Sequence, residues 1–374
     1  MNKRSLYYSP MLFAIIFVLL FLFALTSFPI PFPLMDEPNS TTFPFPKISA
    51  KSDADSVVIL QHIIDKVNPA NLEKTVRDLS SFHTRHTESE FIDDVAYWLI
   101  DNLQSICGTE VHVQNFTYAS EKTIGDDDDD VNSNHRQKPF FYNLKNIACE
   151  KPSSTNNTII ISAHYDSRME DINNSTARAP GADDNASGVS ALLEVARILS
   201  HVSLNHSIIF VLFSGEEQGK WGSTHYADLI DTTNVDLDLL INLDMVGFAS
   251  EGTNDFLIEY DNGNVVEDNN KYSSAAATFI KSVAENYTNL NATLGLLGNS
   301  DYLPFEALGY TVIGFHDDGV TKNPNHHKST DTPNILNYEY LTSITKLTLA
   351  TILGLDKSLI DDNLDYAATP LVTD

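Results

Sequence analysis

The chain has 374 residues, 42% of them hydrophobic, and a formal net charge of −28 at neutral pH. That length and apolar content suffice for one large α/β domain with a sizeable core plus terminal segments. So acidic a chain excludes nucleic acid and anionic membrane surfaces as partners, since both repel it.

The amino terminus reads as a targeting segment. Lys3 and Arg4 precede an apolar run over residues 11–25, which Pro29, Pro31 and Pro33 then break. A basic flank, an apolar core and a proline break fit a secretory signal peptide. Taken as the span 6–28, the same stretch is long enough to cross a bilayer uncleaved as a single anchor. Lys3 and Arg4 would then stay cytoplasmic. Both readings put the body of the protein outside the cytoplasm, secreted or membrane-anchored. The expected organisation is a signal or anchor at 1–28, a Pro/Ser/Thr-rich linker at 29–50, a catalytic domain at 51–362 and a tail at 363–374. Sequons at Asn39, Asn115, Asn156, Asn173, Asn174, Asn205, Asn286 and Asn291 agree with export and glycosylation. The cysteines are Cys107 and Cys149. An exported chain most simply pairs them; two buried thiols are the alternative.

Helical periodicity covers residues 55–67, 71–82 and 89–103, the last with Phe91, Val95, Trp98 and Leu99 on one face. Two strand-like runs follow, 110–118 and 140–149, separated by an insertion whose acidic run 126–130 reads as a solvated loop. The β-branched run 158–162 predicts a buried strand, and His164 and Asp166 sit just past its carboxyl end. In open α/β sheets that edge is where ligands bind. A Gly-bounded polar loop, 181–188, then leads into an apolar helix over 189–199. Strands are expected at 207–213, 239–243, 256–260 and 311–315, and helices at 271–287 and 337–357. Ser300-Asp301 opens a short helical turn, and a polar loop carries His326-His327. The predicted fold is α/β: a central mixed, mostly parallel sheet flanked by helices.

Three apolar strands end in imidazole or carboxylate groups: His164 and Asp166, then Glu216 and Glu217, then Asp244. Asp183-Asp184 and His326-His327 follow in loops. Taken singly, each acid is an ordinary cap or solvated turn. Together they count for more, because parallel strands bring their carboxyl ends to one rim. Imidazole and carboxylate donors without thiolate suit zinc in a hydrolytic site, or manganese or cobalt. Five donors are too many for one tetrahedral zinc with an open position, and they fit two metals sharing a carboxylate. Adjacent Glu216 and Glu217 point apart, so one can bind metal while the other serves as a general base.

These blocks resemble the co-catalytic dizinc exopeptidases of the secreted bacterial leucyl aminopeptidase type, with glutamate carboxypeptidases and glutaminyl cyclases as more distant relatives. The matching stretches are His164-Tyr165-Asp166-Ser167, residues 181–188, Glu216-Glu217 with Gly219 and Gly222-Ser223, Asn242-Leu243-Asp244-Met245, and His327 with Asp331-Thr332. Thr84-Arg85-His86 and Ser300-Asp301 match weaker positions, and the likeness covers roughly residues 70–355. It implies two zinc ions per chain and peptide substrates cut from the amino terminus. His164 and Asp244 would bind one zinc, Glu217 and His327 the other, with Asp184 bridging. Among the catalytic positions, Glu216 would be the general base and Asp166 the carboxylate that orients the imidazole. His327 matches the last ligand better than His326. Arg85 and His86 are expected to support the fold, and Asp183 to be structural. Asn185 is formally in a sequon but expected to be bare, and lone His112, His135, His201, His206 and His225 have no role. The chain departs from the family where a tyrosine precedes the Ser-Asp pair, which leaves the oxyanion charge to the metals or to another donor such as Tyr302. Other functions on this fold are glutaminyl cyclase, which typically lacks an imidazole at the His164 position, carboxypeptidase, and a non-catalytic binding module.

Overall fold

The computed structural model describes residues 54–108, 110–120, 140–250, 252–317 and 323–356. The expected signal or anchor, the linker, the acidic run and the tail lie outside the described residues. Helices α1 (Ala54–Ile64), α2 (Pro69–Ser81) and α3 (Ile92–Cys107) come first. Asn68 opens α2 by accepting the Ala70 N–H at 3.0 Å, with Pro69 at the position where no N–H is needed. Gly108 closes α3 in a left-handed conformation, φ 62°.

Strands β1 (Val111–Ser120), β2 (Phe140–Lys151) and β3 (Asn157–His164) follow. A turn over Ala182–Ser187 leads into α4 (Gly188–Leu199), and β4 (Ser207–Phe213) comes next. Then come α5 (Trp221–Thr233), β5 (Asp236–Leu243), β6 (Asp255–Tyr260), α6 (Asn270–Tyr287) and β7 (Asn291–Leu296). A short α7 (Leu303–Glu306), β8 (Val312–Asp317) and the closing α8 (Tyr338–Leu355) complete the described chain. Helix α5 and strand β7 were not assigned from sequence. In α5, Gly222 and a polar face blur the helical pattern, and β7 exposes most of its side chains at the sheet edge.

The sheet runs β1-β2-β4-β3-β5-β8-β6-β7. Its centre, β4-β3-β5-β8, is parallel, as is the β6-β7 pair; β1-β2, β2-β4 and β6-β8 are antiparallel. Strand β4 is buried throughout and β3 along nearly its whole length. Both faces are covered, so their runs are apolar without alternation. One face packs Ile160, Val211, Phe213 and Leu240 against Tyr226, Ala227 and Ile230 of α5 and Phe305 of α7. On the other, α4 contacts β3, β4 and β5, and α2, α3 and α8 pack against α4. Buried Glu194 of α4 is satisfied by the Asn68 N–H at 2.7 Å, the Asn71 amide at 3.0 Å and Arg197, which ties α2 to α4. A Cys107–Cys149 disulfide links the end of α3 to β2, the pairing expected from sequence.

Arg85 has the structural role expected of it. It is fully buried, and its guanidinium donates to the carbonyls of Tyr165 (2.7 Å), Gly181 (2.9 Å), Pro180 (2.5 Å) and Leu79 (3.3 Å). Those bonds fix the segments on either side of the turn Ala182–Ser187. The expected sequons that fall on described residues all have exposed asparagines, whereas Asn185 is buried with its amide on the Leu243 carbonyl at 2.8 Å. No glycan fits at Asn185.

Candidate metal centre

The parallel strands bring their carboxyl ends to one rim, and the acids and imidazoles collect there. His164 is the last residue of β3 rather than a residue beyond it. Glu216 and Glu217 lie in the turn after β4, and Asp244 follows β5. Asp184 comes from the turn before α4, and His327 from the loop before α8. The turn needs glycine at its exit: a Cβ on Gly188 would lie 2.4 Å from both the Asn185 side-chain oxygen and the Leu243 carbonyl.

Asp184 is the hub. Its Oδ1 lies 3.4 Å from His164 Nε2, and its Oδ2 lies 3.1 Å from His327 Nε2. The two oxygens of one carboxylate thus face two different groups. His164 Nε2 also lies 3.2 Å from Asp244 Oδ1. His327 Nε2 lies 3.1 Å from Glu217 Oε2. His326 Nε2 reaches Asp184 Oδ2 at 3.2 Å, its ring 3.6 Å from that of His327 between centroids. His164, Asp184 and Asp244 present atoms close enough for one cation, as do Asp184, His326 and His327. Among the described residues only His327 of the two histidines also contacts Glu217, which favours it over His326 as the donor.

The charges strain against one another. Burial opposes the His164 cation, yet Asp244, Asp166 and Asp184 carry its pKa well above the ordinary imidazole range. Burial also opposes the Asp184 anion, but His164, His326 and His327 hold its pKa well below the usual carboxylate value. Burial first, then Asp301, Asp244 and Glu217, push the Glu216 pKa well up. Burial and Asp184 raise that of Glu217. Such crowding of carboxylates is what divalent cations relieve. The fit extends to a single atom: Glu217 Oε1 is buried without a hydrogen-bond partner. Imidazole and carboxylate donors, with no thiolate, suit zinc.

Supporting groups hold each donor. Ser300 donates to Asp244 Oδ2 at 2.5 Å, and it accepts in turn from the Asn242 amide at 2.8 Å. Asp331 accepts the N–H groups of Asp183 (3.0 Å) and Asp184 (3.1 Å), so it positions the hub. Asp183 is structural, as expected: it accepts from the Gly247 N–H at 2.9 Å and the Asn323 amide at 2.6 Å.

Two expectations change. Asp166 Oδ1 faces His164 Nδ1 at 3.7 Å, an ion-pair contact that helps raise the imidazole pKa but is longer than a good hydrogen bond. Its carboxylate instead accepts the N–H groups of Gly215 (3.0 Å), Glu216 (3.3 Å) and Glu217 (3.1 Å). It therefore anchors the turn that carries both glutamates. Tyr302 is also not free to act as an oxyanion donor. Its hydroxyl donates to Glu259 Oε2 at 2.8 Å and accepts the Gly298 N–H at 2.8 Å.

The donors open into a cavity of about 510 Å³, which also receives Arg168, Glu259 and His316. Sequence reasoning missed these three. Arg168 follows the His164–Ser167 block directly, a weak signal, and donates to Glu217 Oε2 at 2.8 Å. Glu259 stands inside β6, where no strand-end pattern marks it, whereas His316 directly follows the apolar run 311–315 and carries the same strand-end signal as His164, which went unused.

The model of peptidase family M28 matches residues 146–352, a region that contains every donor described above. A probable zinc metalloprotease of Pyrenophora teres f. teres (strain 0-1) is 30% identical over 204 residues, 51% of this chain. The chain spans 39% of that relative's length. A leucine aminopeptidase 1 of Fusarium vanettenii is 26% identical over 324 residues, covering 84% of this chain and 76% of its own. The solved structure of LapB from Legionella pneumophila superposes with a TM-score of 0.64 at 22% identity, over 84% of this chain and 77% of its own. The family match over the donor-bearing half of the chain, on a sheet whose strand ends gather those donors, establishes that the chain belongs to peptidase family M28.

Proposed function

We propose that the chain is an aminopeptidase working with two zinc ions. The observation that carries this reading is Asp184, whose two oxygens face His164 on one side and His327 on the other. His164 and Asp244 would hold one ion, His327 and Glu217 the other, with Asp184 shared. Zinc bound there supplies Lewis acidity, polarising the scissile carbonyl and acidifying water near neutral pH. Glu216 lines the cavity, and its neighbour Glu217 turns to His327 and Arg168. The Glu216 carboxylate takes the proton of the attacking water as the oxygen–carbon bond forms. It then passes that proton to the leaving amine nitrogen as the carbon–nitrogen bond breaks. The likeness to a named leucine aminopeptidase supports removal of residues from the amino end.

We also infer an exported body. Lys3, Arg4 and the apolar run after them support it. So do the exposed sequon asparagines and the Cys107–Cys149 bond, since disulfides persist in oxidising compartments.

The test incubates the zinc-supplemented protein with peptides whose amino termini are free or blocked, some starting with Gln, and follows masses over time. Stepwise shortening of unblocked peptides alone is the expected result. Shortening from the carboxyl end, or loss of ammonia from Gln peptides without shortening, would overturn it.

A further inference from the structure

Glu259 is a carboxylate the catalytic scheme does not use. It stands on β6 opposite Gly314 of β8 and is 8% exposed. Its side chain enters the same cavity as His164, Asp184 and Asp244. Two glycines clear room for it. A Cβ on Gly314 would lie 2.6 Å from Glu259 Oε2, and a Cβ on Gly298 would lie 3.0 Å from Oε1. Its side-chain donor is the Tyr302 hydroxyl at 2.8 Å, with the Gly298 N–H nearby, both neutral.

The cations nearby are already engaged. His316 pairs with Asp317 at 3.3 Å, Arg168 with Glu217 at 2.8 Å, and the Lys220 ammonium sits on the Asn299 carbonyl oxygen at 2.7 Å. Among the described residues Glu259 has no ion-pair partner within 4.0 Å. The His316 imidazolium favours the Glu259 anion from beyond pairing distance, yet burial outweighs it, and a buried carboxylate with no direct ion pair is costly. An apolar side chain entering the recess would desolvate the carboxylate further and return no hydrogen bond. An ammonium or guanidinium would supply a direct charge partner.

We propose that Glu259 is a specificity residue that selects a cationic side chain, Lys or Arg, at the first position of the peptide. The proposal rests on the aminopeptidase reading, in which the first residue has its reacting carbonyl at the metal donors and its side chain in the adjoining recess. Met245 lines the same cavity and offers an apolar surface for the aliphatic stem of such a side chain.

The test compares fluorogenic aminoacyl amides in matched pairs on the zinc-loaded protein: Arg against citrulline, and Lys against norleucine. The expected kcat/KM ratio within each pair is about 10- to 100-fold in favour of the cation, the effect of one charge-assisted hydrogen bond. Glu259→Gln, which keeps an acceptor for Tyr302, should bring both ratios close to one. Ratios near one in the unmutated protein would overturn the proposal, as would ratios that survive the substitution. A uniform loss across all four substrates would also overturn it, leaving Glu259 as a support for Tyr302. A second measurement needs no variant: calorimetric binding of free arginine should exceed that of citrulline by a similar factor. If no unblocked substrate is cut, the aminopeptidase reading fails, and equal binding of the two free amino acids would separately remove the charge selection.

Discussion

The Asp166 carboxylate accepts the backbone N–H of Glu217 at 3.1 Å, and those of Gly215 and Glu216 besides. A buried acid on one strand end thereby sets the turn on the next. Both glutamates of the centre depend on it, one facing His327 and one as the cavity carboxylate. Asp166→Ala should leave three N–H groups without an acceptor. We expect zinc affinity and kcat/KM to fall about 10- to 100-fold, the usual cost of losing a group that orients metal donors. Zinc titration followed by rate measurement at saturating metal separates the two effects. An unchanged affinity would mean that the turn holds its shape without Asp166.

Glu216 and Glu217 are adjacent in sequence and differ in what they touch. Glu217 meets His327 at 3.1 Å and Arg168 at 2.8 Å, whereas Glu216 lines the cavity. Glu216→Gln should retain bound zinc and lose about 10²- to 10⁴-fold in kcat, the range for a removed general base. Glu217→Gln should lose metal. Metal content by plasma mass spectrometry, measured beside turnover, distinguishes them. Zinc loss in Glu216→Gln together with zinc retention in Glu217→Gln would exchange the two roles.

The proposed two-zinc stoichiometry turns on Asp184. His164→Ala removes a group from one side of it, and His327→Ala from the other. Each should reduce the zinc content from about two per chain to about one, and Asp184→Ala should bring it close to zero. A single zinc in the unmutated protein, unaffected by loss of either histidine, would rule out the shared-carboxylate arrangement.

Much of this was legible in the sequence, for a physical reason. Strands buried on both faces read as unbroken apolar runs, so residues 158–162 and 207–213 announced themselves and their ends located the donors. The central helix α4 starts where a Gly-bounded loop stops, and the disulfide followed from there being two cysteines. What remained hidden was carried by other geometry. Strand β7 is half exposed at an edge, and α5 lacks a clean apolar face. Glu259 stands within β6, which pairs antiparallel with β8, so no strand end at this rim flags it; His316 does follow an apolar strand run at the rim, and that signal was available. The Asp166 role turned on a 3.7 Å separation from His164, a length that residue spacing does not encode.

Arg85 is the structural cation behind the centre. Burial draws its pKa down to about 10, while Asp331, Asp184, Asp166 and Glu217 favour the charge, so it stays protonated at neutral pH. Arg85→Met would leave the carbonyls of Leu79, Tyr165, Pro180 and Gly181 without this donor in the interior. We expect a loss of about 3–5 kcal/mol, the range for breaking a buried charged network, and a fall in Tm of about 10 °C. Scanning calorimetry measures it directly. A shift of about 2 °C or less would mean that water replaces the guanidinium without cost.

A second charged group acts at the opposite rim, where β4 and β5 begin and α8 ends. His206 Nδ1 lies 3.3 Å from Asp356 Oδ2, and Nε2 lies 3.4 Å from Asp238 Oδ2. Burial disfavours the imidazolium, but the two carboxylates outweigh it and raise its pKa to about 9. The folded value exceeds the ordinary one, near 6.5, so the folded state binds the proton more tightly. The stabilisation is therefore complete below about pH 6.5 and is lost as pH rises through about 9. His206→Gln removes it at every pH. The Tm difference between the unmutated protein and the variant should be largest at pH 6 and shrink to a small plateau by pH 10, where only packing differs. A difference that stays constant across that window would show that His206 is neutral throughout and that the two aspartates hold it by hydrogen bonding alone.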